Sequence, residues 1–140
     1  MSEKGFLLEH PCGLNIRPEL RESDLTGLSD LRRDDMLTGY VWYELPRGEI
    51  AGRSIATRLC FHEGALSAIS LAILAPELYG SGWSDWSEKK AKRLAQDTGK
   101  WLGELGFPVG EYSWGTVYAE YDPKGGSGGG GVRFARLGKR

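Results

Sequence analysis

Two short pairs of metal-type residues invite a chemical reading first: His10-x-Cys12 near the start and Cys60-x-His62 further on. Residues two apart on a strand point the same way, so each pair offers two ligands to one side. Two cysteines and two histidines at tetrahedral geometry suit zinc. The single residue inside each pair is tighter than the about two to four of structural zinc sites. Nothing in the sequence brings the pairs together, so neither a metal nor another cofactor is expected. The same groups could serve nucleophilic catalysis, as Cys12 with His62 or Cys60 with His10, if thiol and base met. No Gly-x-Ser-x-Gly elbow is present. Glu44/Glu49 and Asp34/Asp35 have the group types for glycosidase chemistry, but acids in charged loops are usually only solvated. No catalytic residue is assigned, and a small hydrolase or transferase is kept as the alternative reading.

The glycines are the next candidate. Six of the seven residues from Gly125 to Gly131 are glycine. A phosphate-cradling loop needs GxxxxGK[ST], entered from a strand and left by a helix. Here Lys124 precedes the glycines, and the following VRFARL is strand-like and short. Asp122-Pro123 starts a turn. The expectation is a flexible hairpin loop over 124–131 joining two strands.

Nucleic acid would need a basic surface. The net charge is −1. The run KKAKR at 89–93 and the tail Arg133, Arg136, Lys139 and Arg140 are the basic clusters, and the former reads as a helix's wet face. Nucleic acid is therefore not the expected partner and is kept as a second alternative. The acidic bias lies in residues 1–50, with ten Asp/Glu against six Lys/Arg. Asp34 and Asp35 belong to that block and would greet a basic partner. In EYSWGTVYAEYD, read as one strand, Tyr112, Trp114 and Tyr118 share a face. Aromatics rank high among interface hot spots. These five residues are the partner-binding candidates, the aromatic stripe packing under the N-terminal segment or meeting a partner.

The elements that must position these groups follow from periodicity. GFLLEH and LNIRP read as short extended pieces broken by Pro11 and Gly13. Residues 19–37 read as helix or loop, with leucines at roughly helical spacing and Ser23 or Asp24 as a cap. YVWYEL is rich in strand formers. RSIATRLCF and ALSAISLAIL alternate and flank the turn HEGA, a hairpin signal. Pro76 to Gly82 reads as loop. Residues 84–105 read as the main helix, capped by Ser84 or Asp85, with Leu94, Thr98, Trp101, Leu102 and Leu105 along one face. Gly106 and Pro108 stop it. This pattern predicts one α+β domain over 1–140, a mostly antiparallel sheet of four to six strands with one main helix on a face. No apolar run reaches the roughly 18 residues of a membrane span, and the start lacks a signal peptide's apolar region. Two cysteines make no disulfide framework. A cytoplasmic location is expected.

Three blocks carry a resemblance: Trp83-Ser-Asp-Trp-Ser-Glu88, Trp101-Leu-x-x-Leu-Gly106, and Trp114-Gly-Thr-Val-Tyr118 with Tyr121-Asp-Pro-Lys-Gly-Gly126. Together with Leu59-Cys-Phe-His-Glu-Gly64 they resemble a family of small, uncharacterised bacterial cytoplasmic proteins, over about residues 45–136. Such proteins are similar in style to immunity proteins encoded beside toxins. The Gly128–Gly131 run is longer than the turn this resemblance implies. The resemblance implies a non-enzymatic protein that binds and neutralises a toxin.

Overall fold

The two alternating runs become the longest strands, β6 (Arg53–His62) and β7 (Ala65–Ile73). They pair antiparallel across the Glu63-Gly64 turn. The computed structural model describes residues 5–80, 83–124 and 127–135. Strands β1 (Leu8–Glu9) and β2 (Asn15–Ile16) pair with each other alone. Strands β3 (Arg32–Asp35), β4 (Tyr40–Glu44) and β5 (Gly48–Ile50) lead into β6. A single helical turn, α1 (Pro76–Tyr79), and the main helix α2 (Glu88–Glu104) follow β7. Strands β8 (Gly110–Tyr112), β9 (Gly115–Asp122) and β10 (Ser127–Phe134) complete the chain's second half. The spatial order is β3-β4-β6-β7-β10-β9-β8, with β5 on β6.

The α+β class and the antiparallel sheet are as expected, but the sheet has eight strands rather than four to six. The extra strands have physical disguises. β3 is Arg-Arg-Asp-Asp, exposed throughout, and β5 is three residues long. The run read as one strand from 111 to 122 is a hairpin: Tyr112 pairs with Gly115, and Ser113-Trp114 form a two-residue turn. The helical reading of 19–37 shrinks to one 3-10 turn at Glu22–Leu25. Gly27 (φ 94°) and Asp30 (φ 63°) take left-handed conformations that no α-helix can continue through.

Helix α2 starts later than Ser84 or Asp85, which lie in a 3-10 turn at Trp83–Asp85. Its cap is Ser87, whose Oγ accepts the Lys90 N–H at 3.1 Å. Ala91, Ala95, Thr98, Trp101 and Leu102 are its buried face, while Leu94 and Leu105 pack partly buried at the flanks. Trp101 Nε1 donates to the Ile50 carbonyl at 3.1 Å, tying the helix to β5. At the far end the Phe107 N–H donates to the Leu102 carbonyl at 2.9 Å, and Gly106 turns left-handed (φ 102°).

The glycine stretch corrects the sequence reading most. Gly128 to Gly131 are not loop. They lie in β10, all four paired with β9 and Gly130 and Gly131 paired with β7 as well. Gly125 and Gly126 lie outside the described residues. Gly128 and Gly130 face α2. A Cβ on Gly128 would collide with the Ala91 carbonyl oxygen, and one on Gly130 would sit 3.0 Å from Thr98 Cγ2. The missing side chains let the helix lie directly on the sheet backbone. On the opposite face a Cβ on Gly131 would collide with the Ile69 carbonyl and stand 2.9 Å from the Tyr118 hydroxyl. Glycine here is a packing requirement on both faces of one strand.

Register sorts the sheet into two faces. Leu59, Ile69, Val132 and Val117 align across β6, β7, β10 and β9 on the inner face. All four are fully buried, each contributing about 1.5–3 kcal/mol through burial. Helix α2 covers β7, β9 and β10 on this side. Phe6, Leu8, Ile16, Leu20 and Leu25 of the N-terminal segment join the same core cluster. Tyr43 donates its hydroxyl to Glu22 at 2.6 Å, pinning that segment to β4. Neither α1 nor α2 covers the outer face. Among the described residues no helix is long and apolar enough to cross a membrane.

Candidate functional site

The outer face is an ordered array of side chains. One register row runs Arg32, Glu44, Arg58, Ser70, Gly131, Tyr118, and the next runs Asp34, Trp42, Cys60, Ala68, Arg133, Thr116. Two cation–aromatic pairs stand on it. The Arg58 guanidinium lies 4.7 Å above the Trp42 ring, and that of Arg133 lies 3.9 Å above Tyr118. Arg133 also meets Glu120 at 3.3 Å, and Arg32 meets Glu44 at 3.7 Å. Between the two pairs β7 and β10 present only Ala68, Ser70, Ala72, Gly129 and Gly131. Arg58 and Tyr118 stand three strand spacings apart, about 14 Å. The result is a trough with a floor of small residues and walls of arginine and aromatic groups. Its β9 side opens into a depression of about 510 Å³ lined by Ser70, Tyr118, Glu120 and Arg133. Its β4 side opens into one of about 300 Å³ lined by Arg32, Asp34, Trp42, Glu44 and Arg58.

Burial shifts two titratable groups on this face. Burial raises the Tyr118 pKa above its usual value, with Arg133 opposing, so the phenol keeps its proton. Burial likewise raises the Cys60 thiol, against the pull of Arg58. A thiol held in its neutral form is a poor nucleophile.

The candidate residues separate. Tyr118 and Asp34 lie on the outer face, on either side of the trough. Asp35 is in β3 as well, but its Oδ1 accepts the Leu37 N–H at 2.9 Å and its Oδ2 meets Arg33 at 3.5 Å. Trp114 is 7% exposed. It packs against Phe6 at 5.2 Å and stacks on Tyr112 at 4.5 Å, with Phe107 and Phe134 nearby. Tyr112 donates its hydroxyl to the Pro108 carbonyl at 2.6 Å. The expected stripe is thus divided: the hairpin turn swings Trp114 under the N-terminal segment, and Tyr118 alone reaches the open face. Trp42 and Arg58 were missed and Arg133 was named only among the basic residues of the tail, because strand alternation shows which residues share a face but not which face is open.

The metal-type pairs stay apart in role. His10 and Cys12 form the β1–β2 turn, Cys60 lies under the outer face, and His62 stacks on Tyr40 at 4.3 Å. Among the described residues no group of three or more His, Cys, Asp or Glu could hold a metal ion. Asp34 and Asp35 point to opposite faces of β3 and cannot flank one bond. Glu44 is taken by Arg32. On α2, Lys92 pairs with Glu88 at 2.7 Å and Arg93 with Asp97 at 3.4 Å, as a solvated helix face does. Arg136, Lys139 and Arg140 lie outside the described residues.

His10 carries a pH prediction. Its Nδ1 accepts the Cys12 N–H at 3.0 Å, so the neutral ring bears its proton on Nε2. Nε2 is buried without a hydrogen-bond partner among the described residues, and burial holds the pKa below 6.5. Protonation would set one N–H against another and bury a charge. The unfolded chain binds this proton more readily, so stability is full above the unfolded pKa and falls as pH drops towards the folded one. Thermal melts should therefore lose stability between about pH 7 and pH 5. His10→Asn should lose less, since its side-chain oxygen accepts the same N–H without titrating. Parallel pH profiles for the two proteins would contradict this.

The chain matches no protein-family model, no curated protein and no solved structure.

Proposed function

We propose that this chain is a non-enzymatic, cytoplasmic protein-binding domain that neutralises a bacterial toxin in the manner of an immunity protein, with the outer sheet face as its contact surface. The observation that carries the reading is the open trough between the Arg58/Trp42 and Arg133/Tyr118 pairs. Arginine, tryptophan and tyrosine are the residue types that dominate binding hot spots. Here each is already held in place by its neighbour, so little side-chain entropy is lost on contact. The signs of charge alternate across the rows, which suits another protein's mixed surface better than a phosphate backbone. Arg32, Arg58 and Arg133 share the face with Asp34, Glu44 and Glu120. The acidic first third supplies long-range steering towards a basic partner.

The test is purification of the tagged protein from its native host at normal expression, with mass spectrometry of what co-purifies. One stoichiometric protein should appear, and its affinity should fall at least about tenfold in Trp42→Ala or Tyr118→Ala, both still folded. Absence of a partner, together with an enzymatic activity lost in Cys60→Ser or His62→Ala, would transfer the protein to the hydrolase or transferase reading.

A further inference from the structure

The β3–β4 hairpin tip has an arrangement that folding alone does not require. Leu37 is 89% exposed, and its φ is +62°. A bulky, non-glycine side chain in the left-handed region is strained. Its exposure means that it gains no burial in return within this chain. Met36 beside it is 48% exposed and Tyr40 is 38% exposed. The largest apolar side chains of the tip therefore all face water.

The strained shape is held rather than merely tolerated. Asp35 Oδ1 accepts the Leu37 N–H at 2.9 Å, and the Met36 N–H donates to the Tyr40 carbonyl at 3.0 Å. The neighbouring β6–β7 turn braces it: the Glu63 N–H donates to the Gly39 carbonyl at 3.3 Å, and Tyr40 stacks on His62 at 4.3 Å. Glu63 is itself left-handed (φ 52°). Strain maintained by surrounding structure at an exposed position is a pointer to function.

The charge beside the tip is acidic. Asp34 and Asp35 precede the tip along β3, and Glu63, whose Oε2 lies 3.8 Å from His62 Nε2, is bonded to it through its backbone N–H. Arg33, the nearest cation along β3, is turned to Glu22, Asp35 and the Tyr43 hydroxyl. Asp34 and Glu63 form no ion pair with lysine or arginine among the described residues.

We infer that this tip is the partner's anchor: Leu37, flanked by Met36, enters an apolar pocket on a protein whose pocket rim is basic, with Asp34 and Glu63 meeting that rim. The inference rests on the protein-binding reading above and specifies the partner's chemistry. A preformed tip loses little conformational freedom on binding.

The experiment places the photo-reactive amino acid benzoylphenylalanine at Thr38 in one strain of the native host and at Ser70, in the trough, in another. Attachment points are mapped by mass spectrometry. The expected result is one cross-linked protein from Thr38, attached in an apolar segment flanked by Lys or Arg. Adding Leu37→Asn should cut that yield at least about tenfold. Asparagine tolerates the left-handed conformation, so the same substitution should leave the melting temperature unchanged or raise it by about 2–4 °C. Cross-links from Ser70 but none from Thr38 would overturn the anchor and leave the binding reading standing. Cross-links from neither would overturn both. Attachment to a second copy of this chain, a Thr38 yield indifferent to Leu37→Asn, or a fall in melting temperature would each overturn the anchor.

Discussion

Gly128→Val should cost about 3–5 kcal/mol, a large share of a domain's whole stability, and leave the protein unfolded at mild urea concentrations. The reason is steric. The first carbon of any side chain there would occupy the space of the Ala91 carbonyl oxygen in α2. Backbone cannot rotate out of the way as a side chain can. The helix would have to lift off β10, and Ala91, Ala95, Thr98, Trp101 and Leu102 would lose contact together. Gly103→Ala is the contrast. Gly103 is helical, and a methyl group there would meet nothing within 4 Å, so alanine should stabilise by about 0.5–1 kcal/mol. Urea denaturation of both variants reads the difference directly. A Gly128→Val protein as stable as the parent would return the glycines to a loop.

Trp114→Ala should cost about 3–5 kcal/mol through loss of buried area and the cavity left behind. Trp114 closes the end of the core between Phe6, Phe107 and Tyr112. Its removal takes away the surface on which the N-terminal segment rests. Trp42 is only half-buried, so Trp42→Ala should cost less, about 1–2 kcal/mol, from its cation–aromatic contact and partial burial. Thermal denaturation orders the two tryptophans. If Trp114→Ala kept its stability and lost only a partner, Trp114 would be an interface residue after all.

Gly128 and Trp114 also mark the limits of what was legible in the sequence. Alternation in RSIATRLCF correctly places Ile55, Thr57, Leu59 and Phe61 on one buried face, because a half-buried strand has a period of two. The helix was legible from its apolar spacing, and its stop from Gly106. The glycine strand was not, because glycine has no side chain with which to show a period. Its role depends on what approaches from outside the strand, here the α2 backbone. The all-charged β3 was hidden for the opposite reason. It is an edge strand exposed on both faces, and it carries no apolar signal. Of the proposed site, Tyr118 and Asp34 were named from the chemistry of interfaces, and the register places both on the outer face. Trp114 was lost to a two-residue turn that a run of strand-forming residues concealed.

One architectural fact connects fold and proposed function. Gly128 and Gly130 draw α2 onto the inner face, while Gly131 and the small residues of β7 leave the outer face low between its arginine–aromatic walls. The strand that completes the core also shapes the trough.

The most direct measurement is hydroxyl-radical footprinting of the free protein and of its complex purified from the native host. Trp42, Tyr118 and Met36 should be oxidised in the free protein and protected in the complex, with Trp114 protected in both. Protection confined to the solvent side of α2, around Lys89, Lys92 and Arg93, or an unchanged footprint at Trp42 and Tyr118, would contradict the outer face as the contact surface.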